Sequence, residues 1–125
     1  MIKGFIIVGI GSFLGGGLRY LFSQFLKISI LGSFPLGTFL VNVLGCFLIG
    51  VFSSLPEGHG INASTKLLLT TGLCGGFTTF STFIYENASI IKEDNYSFAL
   101  MYICLSFVLG FLALLAGREL VLFFK

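Results

Sequence analysis

Along the chain, long apolar runs alternate with short polar breaks. The runs cover about residues 4–26, 36–55, 65–91 and 96–124, each long enough to supply the roughly 20 apolar residues that a membrane-crossing helix needs. The run over 36–55 is apolar on every face. It therefore has neither the one-sided stripe of a surface helix nor the alternation over roughly ten residues that marks a transmembrane strand. The pattern predicts an all-α membrane protein, a single domain over residues 1–125 with four spans and both termini on one side. Pro35 stands where a missing N–H costs a helix little and opens the second span. Pro56-Glu57-Gly58-His59-Gly60 reads as a turn, and Lys92-Glu93-Asp94-Asn95 as another. The start of the first span imitates a signal peptide, with Lys3 ahead of it. Apolar character resumes after Arg19 and Tyr20, however, and Gly15-Gly16-Gly17 leads into bulky residues instead of a cleavage site.

The third run differs from the others. Its centre reads Thr70-Thr71-Gly72-Leu73-Cys74-Gly75-Gly76-Phe77-Thr78-Thr79-Phe80-Ser81-Thr82-Phe83, a poor continuous helix because Gly-Gly lies among hydroxyl residues. A broken helix survives in lipid only where its freed backbone groups face protein, water or an ion. The break is expected at Gly75-Gly76, whose carbonyls could then face a cation. The pairs Gly11 with Gly15 and Gly72 with Gly76 fit the small-xxx-small pattern of closely crossed helices.

Composition narrows the function. Of 125 residues, 56% are hydrophobic, 16% aromatic and 10% charged, against roughly a quarter charged in an ordinary soluble domain. With seven basic and five acidic residues the net charge is +2, which offers no footprint for nucleic acid. Lys3, Lys66, Arg118 and Lys125 lie on the terminal side and Lys27 and Lys92 on the other, with Arg19 near a span end on that side. This near-balance is too weak to orient the chain, so insertion either way, and hence an antiparallel homodimer, is compatible with it. The three cysteines, Cys46, Cys74 and Cys104, each lie in an apolar run and read as packing residues. The Asn-x-Ser matches at Asn62, Asn87 and Asn95 read as chance. No metal-ligand cluster, nucleophile pair or phosphate loop is present, and His59 is the only histidine.

Polar residues inside the spans are the candidates for function, because hydrocarbon burial makes them costly. Asn42 is either an interhelical hydrogen bond or a neutral donor amide for an anion, and Thr38 shares its face one turn earlier. Tyr102 and Ser106 make a similar face with Gly110, unless their hydroxyls bond back to the helix. Phe80 and Phe83, spaced i, i+3 after the expected break, could offer the positive edges of their rings to an anion. Arg19 either snorkels to the interface or attracts anions to a vestibule.

Three stretches together resemble the Fluc (CrcB) fluoride channels. They are Gly16-Gly17-Leu18-Arg19-Tyr20, the run from Gly37 to Gly50 around Asn42, and Gly75-Gly76-Phe77-Thr78-Thr79-Phe80-Ser81-Thr82-Phe83. The resemblance implies a dual-topology homodimer of antiparallel four-helix subunits, embedded in the lipid of a bacterial inner membrane, with two fluoride pores lined by both chains. It implies that Phe80 and Phe83 meet fluoride through their ring edges, that Asn42 is the pore amide, and that the carbonyls of Gly75 and Thr78 hold a structural Na+ at the dimer centre. Ser81 and Thr82 follow in the same motif. Thr38, Tyr102 and Ser106 would belong to a polar track along the pore, with Arg19 at its aqueous end. Gly110 departs from the pattern, lacking a hydroxyl that some relatives carry. The implied activity is passive export of fluoride, without enzymatic chemistry.

Two rivals share the four-span outline. A small multidrug exporter needs a membrane-embedded acid for proton exchange; the first span has none, and Glu86 at the exit of the third is the sole candidate. A structural subunit would use the glycines and Asn42 for packing alone.

Overall fold

The computed structural model describes residues 1–27, 34–58 and 61–124. They form α1 (Ile2–Lys27), α2 (Leu36–Ser54), α3 (Ala63–Leu67), a π-helical stretch (Leu68–Cys74), α4 (Gly75–Phe77), α5 (Ser81–Lys92) and α6 (Tyr96–Phe123). Four segments are long and apolar enough to cross a bilayer: Ile2–Leu26, Leu36–Ser54, Ala63–Lys92 and Tyr96–Phe123. Only 11–22% of the residues in the most apolar stretch of each are buried within the chain. A lone chain in water would expose the remainder, so the fold presupposes hydrocarbon or a partner around it.

The connections follow local chemistry. Pro35 precedes α2, and its carbonyl accepts from the Phe39 N–H at 3.1 Å, so the residue that cannot donate still takes part in the first turn. Gly58, at φ +115°, reverses the chain and exchanges both backbone bonds with Ile61 at 2.7 and 3.0 Å. Asn62 caps α3 by accepting from the Thr65 N–H at 2.9 Å. The Asn87 match lies buried inside α5, where its amide donates to the Phe83 carbonyl. His59 lies outside the described residues.

Two tight crossings organise the helices. In one, α1 runs against the π-helical stretch and α4. A Cβ on Gly11 would come within 2.8 Å of the Gly72 Cα, and one on Gly76 within 2.7 Å of the Ser12 carbonyl. The two small-xxx-small pairs are thus the two sides of a single crossing, closed further by the Ser12 hydroxyl donating to the Gly72 carbonyl at 3.3 Å. In the other, α2 lies along α6, where Gly50 abuts the Leu114 backbone and Gly117 the Phe47 carbonyl.

The third span breaks, but not at its glycines. Gly75 is helical (φ −61°, ψ −40°), and the extended residue is Thr78 (φ −88°, ψ 160°). Gly76 is selected for close approach to α1, and backbone freedom is not what it supplies. The extended turn falls instead at Thr78-Thr79, where the hydroxyls bond locally and offer the backbone an alternative to the helix. The Thr78 hydroxyl donates to the Cys74 carbonyl at 3.0 Å. Thr79 Oγ accepts from the Thr82 N–H at 3.3 Å and starts α5.

Gly117→Ala and Gly50→Ala each push a methyl into backbone, and each is expected to cost about 1–3 kcal/mol of stability by overpacking. Gly9→Ala, with nothing within 4 Å, leaves stability unchanged or slightly raised. Thermal unfolding in detergent, followed by size-exclusion chromatography, measures the contrast.

Candidate functional site

The break creates polar backbone at membrane depth, and α2 supplies its partner. Asn42 donates from its amide to the Thr79 carbonyl at 3.0 Å and accepts from the Thr79 N–H at 2.8 Å. This reciprocal pair replaces the two helical bonds that Thr79 forgoes. It also fixes which end of the amide points where, leaving the second N–H of Asn42 without a partner among the described residues.

Around that pair lies a cavity of about 350 Å³, lined by Asn42 and Cys46 from α2, by Thr78, Thr79, Phe80 and Phe83, and by Ser106, Phe107 and Gly110 from α6. No charged side chain lines it. The Phe80 and Phe83 ring centroids are 6.2 Å apart and the planes tilted by 39°. Phe83 is 5% exposed, wedged against Tyr102 (5.0 Å, edge on) and Phe107 (6.3 Å). Phe80 is 67% exposed, so one wall of the cavity is open on the chain's own surface. The Ser106 Oγ is buried without a hydrogen-bond partner among the described residues; the back-bonded arrangement that its spacing left open is not the one adopted.

Four of the candidates thus meet in one cavity: Asn42, Phe80, Phe83 and Ser106. Thr38 and Tyr102 do not line it, although both are buried. Their hydroxyls are donated to Glu86, Thr38 to Oε2 at 2.8 Å and Tyr102 to Oε1 at 2.9 Å. Ser81 is exposed, and Thr82 accepts from the Thr79 hydroxyl at 3.2 Å, so both serve the start of α5. Arg19, expected at an aqueous end, donates through Nε to the Gly76 carbonyl at 3.2 Å. A cation there holds a carbonyl freed by the break.

Glu86 is the member that sequence reasoning assigned only to a rival function. Its signal was available: an acid inside a span is costly and selects for partners. Cys46, one turn beyond Asn42, also reaches the cavity, with its sulfur 3.4 Å from where a Cβ on Gly110 would stand. Gly75 and Thr78 provide carbonyls that accept no hydrogen bond among the described residues. No group of three or more His, Cys, Asp or Glu side chains gathers there or elsewhere among them. Oxygen-only, uncharged ligation suits a hard monovalent cation better than a transition metal.

Four apolar spans and an uncharged, half-open cavity with a few polar groups at a helix break define a multi-pass α-helical membrane protein. Residues 6–118 match the family model described as CrcB-like protein, Camphor Resistance (CrcB), and the chain belongs to that family. Similar relatives bear the name fluoride-specific ion channel FluC. That of Chlorobium phaeobacteroides is 44% identical over 117 residues, covering 93% of this chain and 90% of its own. That of Gloeothece citriformis is 45% identical over 113 residues, 87% and 92% of the two chains. That of Azobacteroides pseudotrichonymphae is 38% identical over 125 residues, 99% and 100%.

Asn42→Ala strips both Thr79 backbone groups of their partner and is expected to cost about 2 kcal/mol or more, since unsatisfied buried groups carry a desolvation penalty of 1–3 kcal/mol each. Hydrogen exchange should accelerate first over residues 78–83, ahead of the α2 and α6 amides, as read by mass spectrometry of peptides.

Proposed function

We propose that the chain is a fluoride channel, a passive path by which fluoride leaves the cytoplasm across the inner membrane down its electrochemical gradient. The observation that carries this reading is the cavity itself. It joins the rings of Phe80 and Phe83 to two uncommitted neutral donors, the second Asn42 N–H and the Ser106 hydroxyl, with no charge on its walls. A small, strongly hydrated anion needs close replacement of its water. Ring edges and neutral donors supply this without a fixed cation that would trap the ion. The start of α5 at the same place adds the positive end of a helix. The relatives' printed names point to the same ion.

The functional unit is an antiparallel dual-topology homodimer with two pores. The exposure of Phe80 supports this, because a ring that is to flank an ion on a dry path needs a second surface to close over it. The Gly75 and Thr78 carbonyls fit a sodium ion at the dimer centre: they lack internal donors, and Gly75 lies on the chain's exposed surface. When bound, sodium supplies the positive charge that unpaired carbonyls at membrane depth need. Arg19 would then guard the neighbouring Gly76 carbonyl, and surrounding lipid covers the remaining apolar faces.

Purified protein in liposomes should release fluoride rapidly and chloride far less, as measured with ion-selective electrodes. Phe80→Ile or Phe83→Ile, which keeps apolar bulk and removes the ring edge, should slow release by about tenfold or more, the equivalent of about 1.4 kcal/mol of lost ion stabilisation. Absence of release from a folded wild-type dimer would overturn the reading. Replacing sodium by a large organic cation should weaken the dimer or its flux; indifference to sodium would assign those carbonyls another role.

A further inference from the structure

Glu86 lies on α5 one turn past Phe83 and uses both carboxylate oxygens, one for the Thr38 hydroxyl of α2 and one for the Tyr102 hydroxyl of α6. A hydroxyl has one proton to donate. While Thr38 and Tyr102 donate to Glu86, neither can donate to a passing anion. The ring of Phe83 separates this cluster from the first cavity, packing edge-on against Tyr102 on one side and lining the cavity on the other. On its far side Glu86 opens to a second cavity of about 340 Å³, shared with Tyr85, Ser89, Glu93 and Asn95, where α5 ends and the chain turns into α6. The carboxylate thus stands between the Asn42 cavity and a more polar mouth through which protons can reach it.

The groups that face it are few. Thr38 and Pro35 approach from the α2 side without titrating, Tyr102 from α6, Tyr85 from its own helix and Glu93 from just past that helix's end. No basic side chain lines the mouth among the described residues. Among the described residues, the charge on Glu86 is therefore held by hydroxyl hydrogen bonds alone.

We infer that Glu86 is a built-in competitor of the transported anion for the Thr38 and Tyr102 hydroxyls, a positioning residue whose charge state sets the rate of passage. This rests on the fluoride-channel reading. With Glu86 ionised, both hydroxyls are engaged and an anion arriving from the Phe83 side meets a like charge. With Glu86 protonated, the repulsion is gone and the neutral carboxyl holds the hydroxyls less firmly. Either hydroxyl can then turn to the ion. No bond is made or broken beyond the transfer of a proton from the aqueous mouth to the carboxylate.

The test is fluoride release from liposomes with equal pH on both sides, over mildly acidic to mildly alkaline values, after subtraction of the leak from protein-free vesicles. Wild-type release should rise as pH falls. Glu86→Gln should be faster by about tenfold at alkaline pH and nearly independent of pH, because a unit charge a few ångströms from an anion's path is worth at least that factor. Tyr102→Phe withdraws a hydrogen bond that favours the carboxylate, so its rise should occur at higher pH than in wild type. Release from folded Glu86→Gln that is equal to or slower than wild type, or that follows pH as wild type does, overturns the inference while leaving the channel reading intact. So does a Tyr102→Phe profile that stays in place, a readout that stands even where Glu86→Gln does not fold. No release from wild type at any pH overturns the channel reading and this inference together.

Discussion

Asn42 holds both backbone groups of Thr79, its amide donating to the carbonyl at 3.0 Å and accepting from the N–H at 2.8 Å, and the rest of the site depends on that pair. A helix cannot simply stop within hydrocarbon, where each orphaned N–H or C=O has no water to turn to. One amide side chain imitates the two bonds that continuing the helix would have made. Because Thr79 is thereby fixed, Phe80 and the first turn of α5 leave it in a set direction. Phe83 can then be driven into the Tyr102 and Phe107 rings while Phe80 stays at the surface. The bond that satisfies the break is also the one that aims the phenyl pair.

The glycine crossings serve the same end from the opposite side. Gly11, Gly72 and Gly76 bring α1 into backbone contact with the third span, so the segment before the break is held as firmly as the segment after it. The π-helical stretch Leu68–Cys74 lies within that contact. A wide turn carries one extra residue per bulge and is common where function displaces a helix from regular register. On the other side of the molecule, α2 reaches the break with Asn42 and the Glu86 cluster with Thr38, one turn apart on a single face. Thr38, Asn42 and Cys46 form that face, and Gly50 continues its line into the crossing with α6.

Much of this was legible in the sequence. Uninterrupted apolar runs leave no choice but helices in a membrane, and polar residues are so rare in them that Asn42, Ser106, Phe80 and Phe83 stood out and do share one cavity. What pattern could not give was direction. Gly75-Gly76 looked like the flexible point, yet the missing side chain of Gly76 serves close packing against α1, while the backbone turns at Thr78, whose hydroxyl marked it less plainly than two glycines marked their own position. Thr38 and Tyr102 were each recognised on a polar face, Thr38 with Asn42 and Tyr102 with Ser106, but hydroxyls do not announce which acceptor they serve. The acceptor, Glu86, lies 48 residues from one and 16 from the other, so only the tertiary fold discloses the cluster. Arg19 donates to the Gly76 carbonyl, a partner that pattern could not disclose, because a cation near a span end can reach a freed carbonyl on a neighbour as readily as it can reach water.

The unmatched groups at membrane depth argue for what must surround the chain. Thr71 and Gly75 are exposed and four residues apart, and Phe80 and Ser81 are exposed just beyond them, so the third span turns hydroxyls and a bare carbonyl outward where lipid could not receive them. Hydrocarbon tolerates irregular backbone only when it is covered by protein or water. Water would suit the carbonyl but would leave the Phe80 ring without a role. The second surface and the sodium ion proposed above would meet the carbonyl, the hydroxyls and the ring at once. The proposed pairing would answer the same constraint that makes Asn42 necessary, applied to the groups that Asn42 cannot reach.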